Sequence, residues 1–242
     1  MIILPSIDIR DGQCVRLKYG DYDQETRYDV DPIRLAQRYE ALGLSQLHVV
    51  DLDGALEGCP VNLETWASIA DATTLTLQCG GGIRNESHVR ALLDVGVQRV
   101  VIGSLAITQP ELVASWLELF GSERIVLALD VRRDEAGVAR ICTNAWQDTS
   151  NETLEDTIER FLPHGLQYIL CTDIGRDGAL QGPAIALYAA LMARYGALSI
   201  QASGGVSDVA DLVKLRVTGV AAAITGKALL EGRITDEEIR SF

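Results

Sequence analysis

Short runs rich in apolar and β-branched residues recur along the chain at 2–8 (IILPSID), 46–51 (QLHVVD), 75–79 (LTLQC) and 99–102 (RVVI). The series continues at 124–130 (RIVLALD), 167–172 (QYILCT), 198–203 (LSIQAS) and 220–224 (VAAAI). Between them the apolar spacing changes to that of amphipathic helices, as in DPIRLAQRYEALG (31–43), NESHVRALLDVG (85–96) and ALYAALMARYG (186–196). Asp31-Pro32 and Gln109-Pro110 read as helix openings, and Gly43, Gly96 and Gly196 as helix ends. Strands alternating with helices predict a parallel sheet, and eight such units in 242 residues predict a single (β/α)8 TIM barrel. A doubly wound open sheet is the alternative the pattern allows. No linker, low-complexity run or composition break marks a second domain.

The pattern repeats at half the chain length. The glycines of CGGGI (79–83) and ASGGV (202–206) lie 123 residues apart, as do Gly103 and Gly226. Asp8-Ile9-Arg10 is matched by Asp130-Val131-Arg132 at 122, and Asp53-Gly54-Ala55-Leu56 by Asp177-Gly178-Ala179-Leu180 at 124. Near-constant offsets predict two duplicated (β/α)4 half-barrels, about 1–121 and 122–242, related by a pseudo-twofold axis. Any feature at the end of a strand in one half is then expected on the opposite rim as well.

A glycine pair between a strand and a helix lets the backbone turn tightly and aim N–H groups at an anion, beside the positive end of the helix. One such pair would mark only a tight turn. Here each pair is followed by a second glycine-bearing strand end, Gly103-Ser104 in one half and Gly226-Lys227 in the other. Loops after the last two strands of a barrel are common phosphate sites. The arrangement therefore predicts a substrate with a phosphate at each end, held by Gly81, Gly82, Gly103 and Ser104 and by Ser203, Gly204, Gly205, Gly226 and Lys227. Between the two sites stand Asp8 and Asp130, at the ends of the first and fifth strands. Acids on opposite sides of a substrate suit removal of a proton by one and delivery by the other.

Charge and composition narrow the class. The net charge is −13, with no basic field to meet nucleic acid. Hydrophobic residues make up 48% and charged residues 23%, as in a globular domain, and no apolar run approaches the ~18 residues of a membrane span. The apolar start MIILPSIDIR is interrupted by Asp8 too early for a signal peptide. Five cysteines without a C-x-x-C pair and three scattered histidines argue against a disulfide framework or a metal site, and for a reducing, cytoplasmic setting. No cofactor, membrane or obligatory protein partner is expected, and a monomer fits the absence of an exposed apolar stripe.

Taken together, PSIDIRDGQCVRLKYGDYDQET (5–26), HVVDLDGALEG (48–58), CGGGIR (79–84), VIGSLAI (101–107), CTDIGRDGALQGP (171–183), SGGV (203–206) and TGKALLEG (225–232) closely resemble a known family. They are similar to the phosphoribosylformimino-aminoimidazole carboxamide ribotide (ProFAR) isomerases of histidine biosynthesis, and the likeness covers essentially the whole chain. The resemblance implies an Amadori rearrangement of an aminoaldose to an aminoketose in a bisphosphorylated substrate, without cofactor or metal. It places the proton acceptor on Asp8, the proton donor on Asp130 and a supporting threonine on Thr172. It also implies that Arg16, Arg84 and Trp146 contact phosphate or stack on the imidazole, and that Asp177 and Gly178 lie in a loop closing over substrate. Three other readings share these features: the cyclase subunit of imidazole glycerol phosphate synthase, a bifunctional isomerase that also takes phosphoribosyl anthranilate, and a non-catalytic sensor of a bisphosphorylated metabolite. Ser-Ile-Asp-Ile-Arg at 6–10 disfavours the cyclase, TNAWQDTS (143–150) resembles the single-substrate isomerase, and the paired aspartates disfavour the sensor.

Overall fold

The computed structural model describes residues 1–143, 146 and 148–242. Its strands are β1 (Ile2–Arg10), β2 (Gln13–Lys18), β3 (Asp21–Arg27), β4 (Gln46–Asp51), β5 (Thr76–Gly80) and β6 (Arg99–Ile102) in the first half. The second half holds β7 (Ile125–Arg133), β8 (Ala139–Thr143), β9 (Asp148–Thr153), β10 (Tyr168–Asp173), β11 (Ser199–Ser203) and β12 (Ala222–Thr225). Eight of these pair in parallel in the cyclic order β1-β4-β5-β6-β7-β10-β11-β12, and β12 pairs back onto β1. The sheet is thus a closed (β/α)8 barrel, which rules out the open sheet. β1 and β7 are four strands apart in this order, on opposite walls. The four barrel strands of the first half recur as β7, β10, β11 and β12: Ile2 and Ile125 start 123 residues apart, Gln46 and Tyr168 122, Thr76 and Ser199 123, and Arg99 and Ala222 123.

The period-2 alternation of a strand explains which side chains reach the barrel interior. In β1, Ile3, Ile7 and Ile9 pack outward against the helices, so Leu4, Ser6 and Asp8 point inward. In β7, Ile125, Leu127, Leu129 and Val131 face the helices, which turns Val126, Ala128 and Asp130 inward. By the same parity Thr172 of β10, Gln78 of β5 and Gln201 and Ser203 of β11 line the interior. An apolar layer of Leu4, Val101, Val126, Leu170, Ala222 and Ile224 fills the barrel below them. The main core lies between sheet and helices and fully buries Trp66, Trp116, Tyr39, Tyr188 and Phe161. Each such side chain contributes about 2–3 kcal/mol through the apolar area it buries.

Four strands lie outside the eight-strand expectation. β1 runs on past Asp8 into an antiparallel hairpin with β2, and β7 runs on past Asp130 into one with β8. β3 and β9 extend these hairpins. Both additions follow the first strand of a half, so Asp8 and Asp130 each sit at the base of their own β ribbon. The outer strand of the first ribbon, DYDQETR in β3, is polar and stands largely in solvent, whereas β2 and β8 bury Cys14, Val15, Leu17, Ile141 and Cys142. Pro32 and Pro110 occupy the first turn of the helices Pro32–Ala41 and Pro110–Phe120, as their fixed φ favours. Gly43 and Gly96 end helices in the left-handed region, whereas Gly196 ends one in the right-handed region.

Candidate active site

The ribbons bring the two aspartates into different surroundings. Pairing of Asp8 with Val15 puts Arg16, one residue further along β2, within reach of β1. The Arg16 guanidinium donates to Asp8 Oδ2 at 2.7 Å and to the Ser6 carbonyl at 3.3 Å. Ser6 Oγ donates to the other carboxylate oxygen at 3.4 Å. Asp8 is 8% exposed and forms a largely buried ion pair. Across the barrel, Asp130 has no cation in contact among the described residues. Trp146 Nε1 donates to its Oδ2 at 2.8 Å, and Thr172, directly opposite it in the β7–β10 register, also hydrogen-bonds it. Burial pushes the Asp130 carboxyl above its ordinary value, and the bonds from Trp146 and Thr172 only partly oppose this. Among the described residues, one carboxyl thus has a positive partner and the other only neutral ones.

A third acid stands at the same rim. Asp177 lies in the loop after β10, where Gly178 abuts Leu17 and Lys18 of the first ribbon and its carbonyl accepts from Lys227 Nζ at 3.2 Å. Burial raises Asp177 from 3.8 to about 6; Arg16 opposes this, and the carboxyls of Asp8 and Asp130 add to it. The folded state therefore holds this proton more tightly than the unfolded chain. Stability from that preference is complete below about 3.8 and is lost as pH rises through about 6. Asp177→Asn, which has no charge to bury, should melt higher than the parent at pH 7–8, with the advantage vanishing near pH 4. Thermal melts across pH check this, and equal melting at pH 8 would refute it.

The glycine loops occupy equivalent places on opposite sides of one rim. Gly81 (φ 120°) and Gly204 (φ 93°) follow β5 and β11 directly. A Cβ on Gly81 would collide with the Asp51 carbonyl, and one on Gly204 would come within 2.8 Å of the Asp173 carbonyl. Gly82 and Gly205 are equally close to the carbonyls of Gly54 and Gly182. These glycines allow a backbone-to-backbone contact with the preceding strand's loop, in addition to any anion they face. Of the neighbouring strand ends, Gly103 is freer and meets nothing nearer than Ala128 at 3.9 Å, whereas a Cβ on Gly226 would run into the Arg16 guanidinium. Ser104 and Lys227 begin the short helices that follow.

The expected site residues therefore gather at one end of the barrel, with two differences in detail. Arg16 reaches across β1 to Asp8 and lies over Gly226, so it joins the carboxylate centre to the second glycine site. Arg84 is exposed, beside Gly58 at the end of the helix Leu52–Glu57. Of TNAWQDTS, residues 144, 145 and 147 lie outside the described residues. Trp146 is described, and its ring packs on Gly20 of the first ribbon, so the two ribbons meet above the barrel.

Several interior residues were not among the candidates read from the sequence. Asp51, fully buried at the end of β4, accepts from the backbone of Gly54, Val61 and Asn62 and from the Asn62 amide, at 2.6–3.0 Å. It moulds the loop against which Gly81 packs. Beneath the aspartates, Gln78 and Gln201 exchange two amide hydrogen bonds, at 2.7 and 2.8 Å. His48 Nδ1 lies 3.2 Å from Gln78 Nε2, and burial, with Arg16 adding, lowers its pKa from 6.5 to about 3, so the ring is neutral. The 123-residue spacing of the glutamines was open to notice; nothing in the sequence singles out His48. Among the described residues, no group of three His, Cys, Asp or Glu side chains could hold a metal ion, and no helix is long and apolar enough to cross a membrane.

Comparison with known proteins agrees along the full length. Residues 2–235 match the histidine biosynthesis protein family. An enzyme of Aeromonas salmonicida named 1-(5-phosphoribosyl)-5-((5-phosphoribosylamino)methylideneamino)imidazole-4-carboxamide isomerase is 49% identical over 234 residues, 97% of this chain and 94% of its own. Enzymes of the same name from Alteromonas mediterranea and Serratia proteamaculans are 48% and 46% identical over 237 residues, 98% of this chain and 97% of theirs. A closed (β/α)8 barrel, paired glycine loops on opposite sides of its rim and this full-length similarity converge on one assignment: the chain belongs to the histidine biosynthesis protein family.

Proposed function

We infer that the protein is a ProFAR isomerase, an aldose–ketose isomerase that carries out the Amadori rearrangement of its bisphosphorylated substrate in histidine biosynthesis. The observation that carries this reading is the opposition of Asp8 and Asp130 in unlike environments, between two glycine loops that recur across the barrel. Asp130, raised by burial, is the acid: it protonates the ring oxygen as the C1–O bond of the ribose opens. Asp8, paired with Arg16, is the base and takes the C2 proton. The enolamine that results gains a proton at C1, and the C2 hydroxyl becomes the ketone. Thr172 and Trp146 hold the Asp130 carboxyl in place, and Arg16 orients Asp8. Asp177 and Gly178 close the rim over substrate beside Lys227, and Arg84 supplies charge near the first glycine loop.

One phosphate rests on Gly81, Gly82, Gly103 and Ser104, the other on Ser203, Gly204, Gly205, Gly226 and Lys227. The chain forms one barrel domain, residues 1–242, of two half-barrels, about 1–121 and 122–242, a division supported by the recurrence of the strands. Five free thiols suit a reducing cytoplasm, and the protein works as a monomer without an obligatory protein partner. Turnover of ProFAR by the purified protein tests the activity, and phosphoribosyl anthranilate run beside it tests single-substrate specificity. A protein that binds ProFAR without converting it would be a sensor instead.

Gly103→Ala probes the first phosphate site with little steric disturbance, because the added methyl meets ordinary packing. It should raise KM about tenfold, as expected for crowding one anion contact, and leave melting within a few degrees. Steady-state kinetics with an unchanged KM would remove Gly103 from the site.

A further inference from the structure

We propose that His88 is a positioning residue for the first phosphate loop, donating from Nδ1 to the Gly82 carbonyl in a tautomer set by Asn85. This takes Gly82 as part of that phosphate site, as inferred above. Asn85 caps the helix Glu86–Asp94: its Oδ1 accepts from the His88 backbone N–H at 3.0 Å and from Ser87 Oγ at 2.6 Å. Those two donors fix which end of the amide is oxygen. The Nδ2 end is then a donor, and it lies 3.1 Å from His88 Nε2. A nitrogen that receives a hydrogen bond carries no proton, so in the neutral ring the proton is on Nδ1. Two groups lie within reach of Nδ1: the Gly82 carbonyl at 3.2 Å and the Arg84 backbone N–H at 3.3 Å. A protonated Nδ1 donates to the carbonyl and cannot accept from Arg84.

The consequence for the loop is directional. In a trans peptide the N–H points opposite to the carbonyl, so holding the Gly82 carbonyl toward the helix turns the Ile83 N–H away from it. The equivalent helix in the other half, Val209–Thr218, uses different chemistry at the same positions. Asp208, 123 residues after Asn85, is its cap, and Asp211, 123 residues after His88, accepts from Ser207 N and Oγ at 3.1 and 2.7 Å. There the third helical residue braces the loop as an acceptor on the residue before the cap. In the first half it braces the loop as a donor to the second glycine.

Three variants at position 88 separate donor from acceptor. His88→Asn keeps an N–H donor at the δ position and should leave KM for ProFAR within about twofold of the parent. His88→Ala should raise KM about five- to tenfold, the usual worth of one neutral hydrogen bond, with kcat nearly unchanged. His88→Asp, which can accept from Arg84 but not donate to Gly82, should do no better than His88→Ala. An unaltered KM in His88→Ala, or His88→Asp matching His88→Asn, overturns the proposal. Imidazole 15N shifts of the parent protein read the tautomer without any turnover, and a ring protonated on Nε2 alone also overturns it. Absence of ProFAR turnover in the parent would instead defeat the isomerase reading, leaving the tautomer measurement to decide the Asn85–His88–Gly82 link.

Discussion

Asp8→Asn should lower ProFAR turnover by about 10²–10⁴-fold, the span associated with a positioned acid or base, while KM stays close to that of the parent. The amide keeps the shape of the carboxylate, and its oxygen can still accept from the Arg16 guanidinium now 2.7 Å from Asp8 Oδ2. It cannot take a proton from carbon. Exchange of the substrate C2 hydrogen with heavy water should therefore disappear, provided the ring still opens at Asp130. Loss of the ion pair should also lower the melting temperature, since Arg16 is largely buried and keeps its charge. Near-parental turnover in Asp8→Asn would show that another group is the base, and Asp177, the next acid at the rim, would become the candidate.

Gly81→Val should fail to fold stably, a larger effect than the loss of affinity that a glycine at a phosphate site first brings to mind. The sequence alone casts such a valine as a bulky neighbour for the anion. In the fold its Cβ runs into the Asp51 carbonyl, and φ of 120° is strained for any branched side chain. Backbone strain and overpacking together cost about 3–5 kcal/mol, much of the stability of an ordinary domain. Soluble yield and denaturant midpoint check this. Gly81→Val with a parental midpoint would mean that the loop relaxes easily and that its glycine serves the ligand alone.

These two residues show how far the sequence carries. Asp8 was legible because period-2 alternation, a half-chain repeat and a closed barrel leave an aspartate at that parity facing inward near the rim. The glycine pairs were legible as turns for the same reason. The contact between Gly81 and Asp51 was not, because it depends on how close two neighbouring loops approach, which no local pattern encodes. Arg16 shows the same limit. Its place in a ribbon outside the eight predicted strands gave no hint that it would reach Asp8. Likewise His48 opens one of the family-like stretches without a role of its own there, and its burial becomes visible only once the barrel closes around it.

The amides of Gln78 and Gln201 obey a rule that belongs to symmetric assemblies. A side chain lying on a twofold axis meets its own image, so it must offer a donor and an acceptor at once. Carboxylates and ammonium groups repel their images. A primary amide satisfies its image with two bonds, as the 2.7 and 2.8 Å contacts do here. A half-length ancestor carrying one such glutamine would have been complementary to a second copy of itself at the centre of the ring. Fusing the two copies would demand nothing new of the barrel floor, and afterwards each glutamine could be replaced only in concert with the other.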